Sequence, residues 1–202
     1  MSRDHYRELT EELNIGYEEE HLKMIETLNV EQRVGFDLIM NHVEKKVGQV
    51  YFVNGPGGTG KTYVYKALLE KVRSMNLVAI ATTTFGIAAS IMPRGHTVHS
   101  RFKIPIKLDN NTVCSFTKQS GNAELLCRAT LVIWDEVAMT KRQTVETLDK
   151  TLLDIMGCNQ PFGGKVMLIG GDFRQVLPVV TRGTRAQITD ATLLKSHIWD
   201  NV

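Results

Sequence analysis

Cysteine is scarce in this sequence: three residues, Cys114, Cys127 and Cys158, with no C-x-x-C pair and no cysteine–histidine cluster. An odd, scattered count excludes a disulfide-stapled secreted scaffold and a zinc framework, and points to a reducing compartment. Proline is scarce too, five in 202 residues, and neither a low-complexity tract nor an internal repeat is present. Collagen-like and disordered chains are excluded, because 43% hydrophobic and 23% charged residues are the proportions of an ordinary globular domain. A membrane span is not expected either. The twenty uncharged residues between Arg73 and Arg94 include Ser74, Asn76, Thr82, Thr83, Thr84, Gly86, Ser90 and Pro93, whereas a span needs nearly uninterrupted apolar composition. That stretch reads as a buried strand, Leu77 to Ala81, and a short helix near Phe85 to Met92. The N-terminus lacks the apolar core of a signal peptide and is too acidic for a mitochondrial transit peptide.

The formal charge of +2 hides an uneven split. Residues 1–30 carry Arg3, Arg7 and Lys23 against eight carboxylates, a balance of −5; the other 172 residues hold 21 basic and 14 acidic side chains, a balance of +7. A mildly basic body suits a polyanionic partner without requiring one. Residues 1–27 read as an acidic arm with one helical piece, Glu18 to Thr27, and residues 28–202 as one domain.

Within that domain helices alternate with short apolar strands. A helix is predicted from about Glu31 to Lys46, with Val34, Leu38, Ile39 and Val43 at helical spacing. A strand (Gln49 to Asn54), a glycine-rich turn and a helix (Lys61 to about Ser74) follow. Thr130 to Trp134 and Lys165 to Ile169 are continuous apolar runs of the kind buried on both faces. Between them, Lys141 to Met156 is an amphipathic helix stopped by Gly157. This alternation predicts an α/β fold, a mostly parallel sheet with helices on both faces and ligands at the carboxyl ends of the strands.

Gly55-Pro56-Gly57-Gly58-Thr59-Gly60-Lys61-Thr62 matches the phosphate-loop pattern G-x-x-x-x-G-K-[ST] in full, with a strand before it and a helix after it. Glycines let backbone N–H groups turn in around a phosphate. Lys61 can reach the β- and γ-phosphates, the Thr62 hydroxyl can hold Mg²⁺, and the helix N-terminus adds its positive end. The motif specifies a nucleoside triphosphate but not the use of its energy.

Leu131-Val-Ile-Trp134-Asp135-Glu136 is an apolar strand ending in two carboxylates. The first of such a pair holds Mg²⁺ together with the loop threonine. The second is placed to orient and deprotonate water, which favours an ATPase over a nucleotide kinase or a Ras-like GTPase. After the next strand, Gly170-Gly171-Asp172-Phe173-Arg174-Gln175 ends in a neutral amide able to bond both a phosphate oxygen and the attacking water, a γ-phosphate sensor.

Five motifs in this order resemble the PIF-one-type DNA helicases of superfamily 1. Leu28-Asn29-Val30-Glu31-Gln32 looks like their Q motif. The phosphate loop, Trp134-Asp135-Glu136-Val137 and Gly170–Gln175 look like their nucleotide motifs. Ala81–Ala89 with Gly95–Phe102 resembles their single-strand-contacting motifs, and Ser100–Pro105 is closest in flavour to the plant and Helitron branch. The resemblance covers about residues 25–202. It implies a RecA-like ATPase lobe of a 5′-to-3′ ATP-dependent DNA helicase that uses ATP and Mg²⁺ and takes single-stranded DNA as partner. Roles in DNA repair, recombination and telomere maintenance follow from it, as does a nuclear or mitochondrial location, though no targeting signal is visible. By the same resemblance Gln32 reads adenine, Lys61 binds phosphate, Thr62 and Asp135 hold Mg²⁺, Glu136 is the base and Gln175 couples the γ-phosphate to DNA. Phe85, Gly86, His99, Ser100 and Phe102 are the candidate DNA contacts.

The residues themselves say less about DNA. Arg94, Arg101, Lys103, Lys107 and Lys118 face a single Asp109, with His96, His99, Phe102 and Phe116 among them. Basic side chains track a backbone and aromatic rings stack bases; a solvated basic loop fits equally, and Phe102 fits a core position. His96 and His99 have no further ligand nearby to make a metal site. Relatives of this kind use a second RecA-like lobe whose arginines stabilise the transition state, a contribution worth ~10³–10⁵ in rate. No later motif is recognised here, so the expectation is a lobe that binds Mg-ATP but hydrolyses it slowly and unwinds nothing alone. A non-catalytic module binding ATP and single strands, and a DNA-independent ATPase switch, are the alternatives.

Overall fold

Short runs of β-branched and small apolar residues build the sheet: β1 (Gln49–Asn54), β2 (Val78–Thr83), β3 (His96–Thr97), β4 (Ala129–Asp135) and β5 (Val166–Gly171). The computed structural model describes residues 7–109 and 111–202. Strand order is β1-β5-β4-β2-β3 and every pairing is parallel. All residues of β2 and β5 are buried, as strands covered on both faces must be.

Side chains alternate between two cores, the period-2 signature of a strand. Leu131 and Ile133 of β4, with Leu168 of β5, join Tyr65, Leu68, Leu69 and Val72; Val132, Trp134 and Ile169 join Phe102, Leu125, Leu148 and Leu152. The helices supplying these faces are α1 (Arg7–Leu13), α2 (Glu19–Lys23), α3 (Val30–Lys45), α4 (Lys61–Ser74), α5 (Gly86–Ala89), α6 (Val98–Phe102), α7 (Gly121–Arg128), α8 (Arg142–Met156) and α9 (Arg185–Asp190). Helix α8 stops where expected, with Gly157 left-handed at its C-cap.

Several elements differ from the sequence reading. Strand β2 runs two residues further, to Thr83, and the helix expected over Phe85–Met92 is the single turn α5. The two-residue edge strand β3 and helix α7, capped by the Ser120 hydroxyl, are too short to leave a periodic signal. On α3, Phe36, Ile39, Met40 and Val43 face the core, while Val34 (65% exposed) and Leu38 (49%) point away from it with Val30. Both apolar sets have helical spacing, so periodicity alone could not choose between them.

The acidic segment also packs on the domain. Helix α1 buries Leu9 and Glu12. Glu12 accepts from Arg101 and lies 3.5 Å from Nη2 of Arg73, whose Nη1 is 3.7 Å from Glu70. Glu8 pairs with Lys103 at 3.4 Å.

Candidate nucleotide and nucleic-acid site

Strand β1 delivers the chain into the phosphate loop, and the Gly55 N–H donates to the Gly171 carbonyl at 3.3 Å. This bond joins the loop to the end of β5 and so to the sensor motif. Gly58 and Gly60 both have φ +85°, the left-handed region that other residues enter only at a cost. Gly57 has ordinary backbone and open space around it, so the conformational requirement for glycine falls on Gly58 and Gly60. The Thr59 hydroxyl closes the turn onto the Pro56 carbonyl at 2.9 Å. Lys61 opens the 14-residue helix α4, and its Nζ donates to the carbonyls of Gly55 and, at 3.1 Å, of Pro56. The ammonium is thus held over the loop, beside the helix N-terminus that attracts anions.

Gln32 closes a reciprocal capping box with Asn29, a local reason for an Asn-x-x-Gln spacing. Its Nε2 lies against Gly60, where a Cβ would come within 2.6 Å of it. The predicted adenine reader therefore sits on the shoulder of the phosphate loop.

Asp135 ends β4 and is buried. Its Oδ1 accepts a long 3.4 Å hydrogen bond from the fully buried Tyr65 hydroxyl. Burial pushes the Asp135 carboxyl above its ordinary range, with the Glu136 N–H, Lys61 and Tyr65 opposing. Glu136 is pushed up by burial, then by the charges of Asp135 and Asp172, against Lys61. Its backbone is left-handed, φ 57°, a conformation that costs a non-glycine residue ~1–2 kcal/mol. Thr84 holds it there, donating to the Glu136 carbonyl at 2.8 Å and sharing a hydrogen bond with Thr140.

The third carboxylate is Asp172, buried after β5. It accepts from the Arg174 N–H (3.0 Å), Arg174 Nε (3.1 Å) and Gln175 Nε2 (3.2 Å), and these hydrogen bonds, led by the Arg174 N–H, hold it below the ordinary carboxylate range. The turn presents Arg174 and Gln175 exposed.

The donor set fits Mg²⁺. Among the described residues no group of three or more His, Cys, Asp or Glu side chains makes a metal cage. Asp135 and Thr62 offer hard oxygens at adjacent elements, and Mg²⁺ is commonly held through one or two carboxylates together with the phosphates of its substrate.

Three further residues shape the site. Tyr65 has no motif signal, and Thr84 and Gly170 lie inside motifs without being singled out there. Gly170 faces both Tyr65 and Asp135: a Cβ there would collide with the Tyr65 hydroxyl and lie 2.8 Å from Asp135 Oδ1. Gly170→Ala is expected to destabilise the fold by ~1–3 kcal/mol, the range for forcing volume into a packed site. Adding Tyr65→Phe, which removes the colliding oxygen, should recover part of that loss; urea unfolding of the two variants checks it.

The candidate DNA contacts separate into two groups. Phe85 (52% exposed) and Gly86 follow β2 beside Ile87 (87% exposed), and His99 and Ser100 are exposed on α6. Phe102 is fully buried, 6.4 Å from the Trp134 ring. It has no face open to a base and belongs to the core, because the α6 turn that exposes His99 and Ser100 directs Val98 and Phe102 inward. The basic segment is also less free than its composition suggests. Arg101 and Lys103 are paired with α1, and Lys118 with Asp154 of α8 at 2.8 Å. Arg94 and Lys107 remain exposed.

The phosphate loop, Phe85 and Gly86, the Asp135–Glu136 pair and the sensor turn follow the carboxyl ends of β1, β2, β4 and β5, and His99 and Ser100 come just after β3, where a parallel sheet binds its ligands. The sequence matches the model of the PIF1-like helicase family over residues 27–202. It is 30% identical over 140 residues to the ATP-dependent DNA helicase Pif1 of Psychrobacter sp. (strain PRwf-1), covering 68% of this chain and 21% of that protein. The human ATP-dependent DNA helicase PIF1 is 31% identical over 139 residues, with the same two shares. Among solved structures, a Bacteroides Pif1 helicase in complex with ADP-AlF3 and ssDNA superposes with a TM-score of 0.67 at 28% identity, covering 83% of this chain and 39% of that one. A structure of two coordinating Pif1 helicases at forked dsDNA gives 0.70 at 28%, covering 85% and 41%. The chain spans about a fifth of the length of these curated relatives. No helix among the described residues is long and apolar enough to cross a membrane. With the phosphate loop, the Asp135–Glu136 pair and the sensor turn set side by side on a RecA-like parallel sheet, this chain belongs to the PIF1-like helicase family.

Proposed function

We propose that these residues are the first motor lobe of an ATP-dependent DNA helicase, binding Mg-ATP at the phosphate loop and single-stranded DNA across the ends of β2 and β3. The observation that carries the reading is the parallel pairing of β1 with β5, extended by the Gly55 N–H to Gly171 carbonyl bond, which sets the phosphate loop against the Gly170–Gln175 turn with Asp135 and Glu136 at the end of the neighbouring strand. Loop N–H groups and Lys61 bind the phosphates. Thr62 and Asp135 would hold Mg²⁺, which supplies charge neutralisation at the β- and γ-phosphates. Glu136 takes a proton from the attacking water, and Gln175 reports the γ-phosphate to the DNA-facing surface. Phe85, with its open ring, and His99 and Ser100 meet the single strand.

A second RecA-like lobe outside these residues supplies the arginines that complete the transition-state site, so the 202-residue chain turns over slowly by itself. Translocation in the 5′-to-3′ sense, roles in repair, recombination and telomere maintenance, a nuclear or mitochondrial location and the plant or Helitron branch are carried by the family resemblance of the motifs.

The test is nucleotide and oligonucleotide binding by the purified chain beside Lys61→Ala. ATP affinity should fall by about 10²-fold or more, the cost of removing a charged phosphate ligand, while single-strand affinity is kept and weakens with added salt. Unchanged ATP affinity in Lys61→Ala would overturn the nucleotide assignment; salt-independent or absent strand binding would overturn the DNA assignment.

A further inference from the structure

Phe173 lies inside the sensor turn, flanked by Asp172 and by the Arg174 and Gln175 that Asp172 holds. Its ring stacks on Phe52 at 5.1 Å with 24° between planes. Trp199 meets both rings edge-on, 5.1 Å from Phe52 at 72° and 5.4 Å from Phe173 at 87°. These are the separations and angles of attractive aromatic pairs. Phe52 stands on β1, three residues before Gly55, and is paired in register with Ile169 of β5. One cluster therefore touches the strand that carries the phosphate loop, the turn that carries Gln175, and the C-terminal turn His197–Asn201.

The backbone around Trp199 is anchored separately. Its N–H donates to the Ser196 carbonyl at 3.0 Å, the Ser196 hydroxyl donates to Glu146 at 2.8 Å, and His197 Nε2 lies 3.3 Å from Asp149. Both carboxylates belong to α8. The indole is thus held from a firm base against a turn whose polar end is exposed. All three rings are only partly buried at the edge of the core, so the turn can shift against the indole without repacking the sheet.

We propose that Trp199 is a positioning residue for the nucleotide-sensing turn: it fixes Phe173, and through it Asp172 and Gln175, and it follows the turn when a γ-phosphate occupies the loop. The inference rests on the reading of Gly170–Gln175 as the γ-phosphate sensor. Trp199 touches no nucleotide; its effect is on geometry, and a displacement of about 1 Å at a reacting group is enough to cost ~10²-fold.

The chain contains two tryptophans, and Trp134 is fully buried, so Trp199 can be read optically by difference. Tryptophan emission and affinity by calorimetry are measured for ADP and for ADP with aluminium fluoride, in magnesium buffer, on the wild type, Trp199→Phe, Trp199→Ala and Phe173→Leu. Aluminium fluoride should change the emission of the wild type where ADP alone does not, and the change should vanish in Trp199→Phe and in Phe173→Leu. Trp199→Ala should bind ADP normally yet lose about tenfold of its preference for the fluoride complex, and Trp199→Phe, which keeps an aromatic edge, should restore most of it. Binding of the complex by the wild type without an emission change would overturn the proposal. So would a Trp199→Ala protein that keeps its preference, or one that weakens for both nucleotides equally with a lower melting temperature. Failure of the wild type to bind either nucleotide would instead overturn the nucleotide-site reading beneath it.

Discussion

Glu136→Gln is expected to lower ATP turnover by about 10²–10⁴-fold, the usual contribution of a positioned general base, with ATP affinity changed little. Asp135 and Glu136 both feel the charge of Lys61, and Glu136 feels that of Asp172 in turn, but the surroundings of the three carboxylates differ. Asp172 is committed by three hydrogen bonds to Arg174 and Gln175 and held below its ordinary range, which makes it a weak base. Asp135 is buried at the strand end and bonded to Tyr65, and is the one proposed above to hold the cation. Glu136 is half-buried and pushed upward by burial and by the charge of Asp135, which on the proposed reading makes it the carboxylate that takes the proton. Substitution by Gln keeps the shape and removes one of three like charges, so melting temperature should stay level or rise. Single-turnover hydrolysis beside nucleotide binding decides the matter. A loss below threefold would assign the base elsewhere, and a loss matched by equally weakened binding would make Glu136 a ligand.

Glu12→Gln is expected to destabilise the fold by ~3–5 kcal/mol, the cost of removing one partner from a buried ion pair, whereas Glu11→Gln leaves unfolding unchanged. Glu12 is 5% exposed between Arg73 and Arg101, both also buried. Arg73 keeps the carbonyls of Ala79 and Pro93 as acceptors, so the larger loss falls on Arg101. The Nε atoms of both arginines already lack hydrogen-bond partners, which leaves the network no slack. Replacing Glu12 and Arg101 together by Met should recover much of the stability, because a buried pair exchanged for packed apolar side chains is often neutral. Urea unfolding of the single and double variants tests it, and additive losses would show that the two residues are not coupled.

How far the sequence carries is clearest where it names chemistry. A phosphate loop, a strand ending in two carboxylates and a Gly-Gly-Asp-Phe-Arg-Gln turn are local statements. Each depends on a few consecutive residues whose geometry is set by their own backbone and by the strand before them, and the structure puts all of them at one end of the sheet. The capping box that holds Gln32 is equally local.

What the sequence left open depends on contacts between segments far apart in the chain. Glu11 and Glu12 are the same residue type one position apart, yet one is solvent-exposed and the other is buried against arginines 61 and 89 residues away. Val30, Val34 and Leu38 form one apolar stripe of α3 and Phe36, Ile39, Met40 and Val43 another, and only the packing of the helix buries the second and exposes the first. Phe102 was as good a base-stacking ring as Phe85 until α6 turned it against Trp134. The necessity of Gly170 exists only because Tyr65 and Asp135 come from two other elements. Local motifs are written in neighbouring residues because backbone geometry is short-ranged; burial, charge pairing and the fit of one side chain against another are set by which surfaces meet, and that was decided only in the fold.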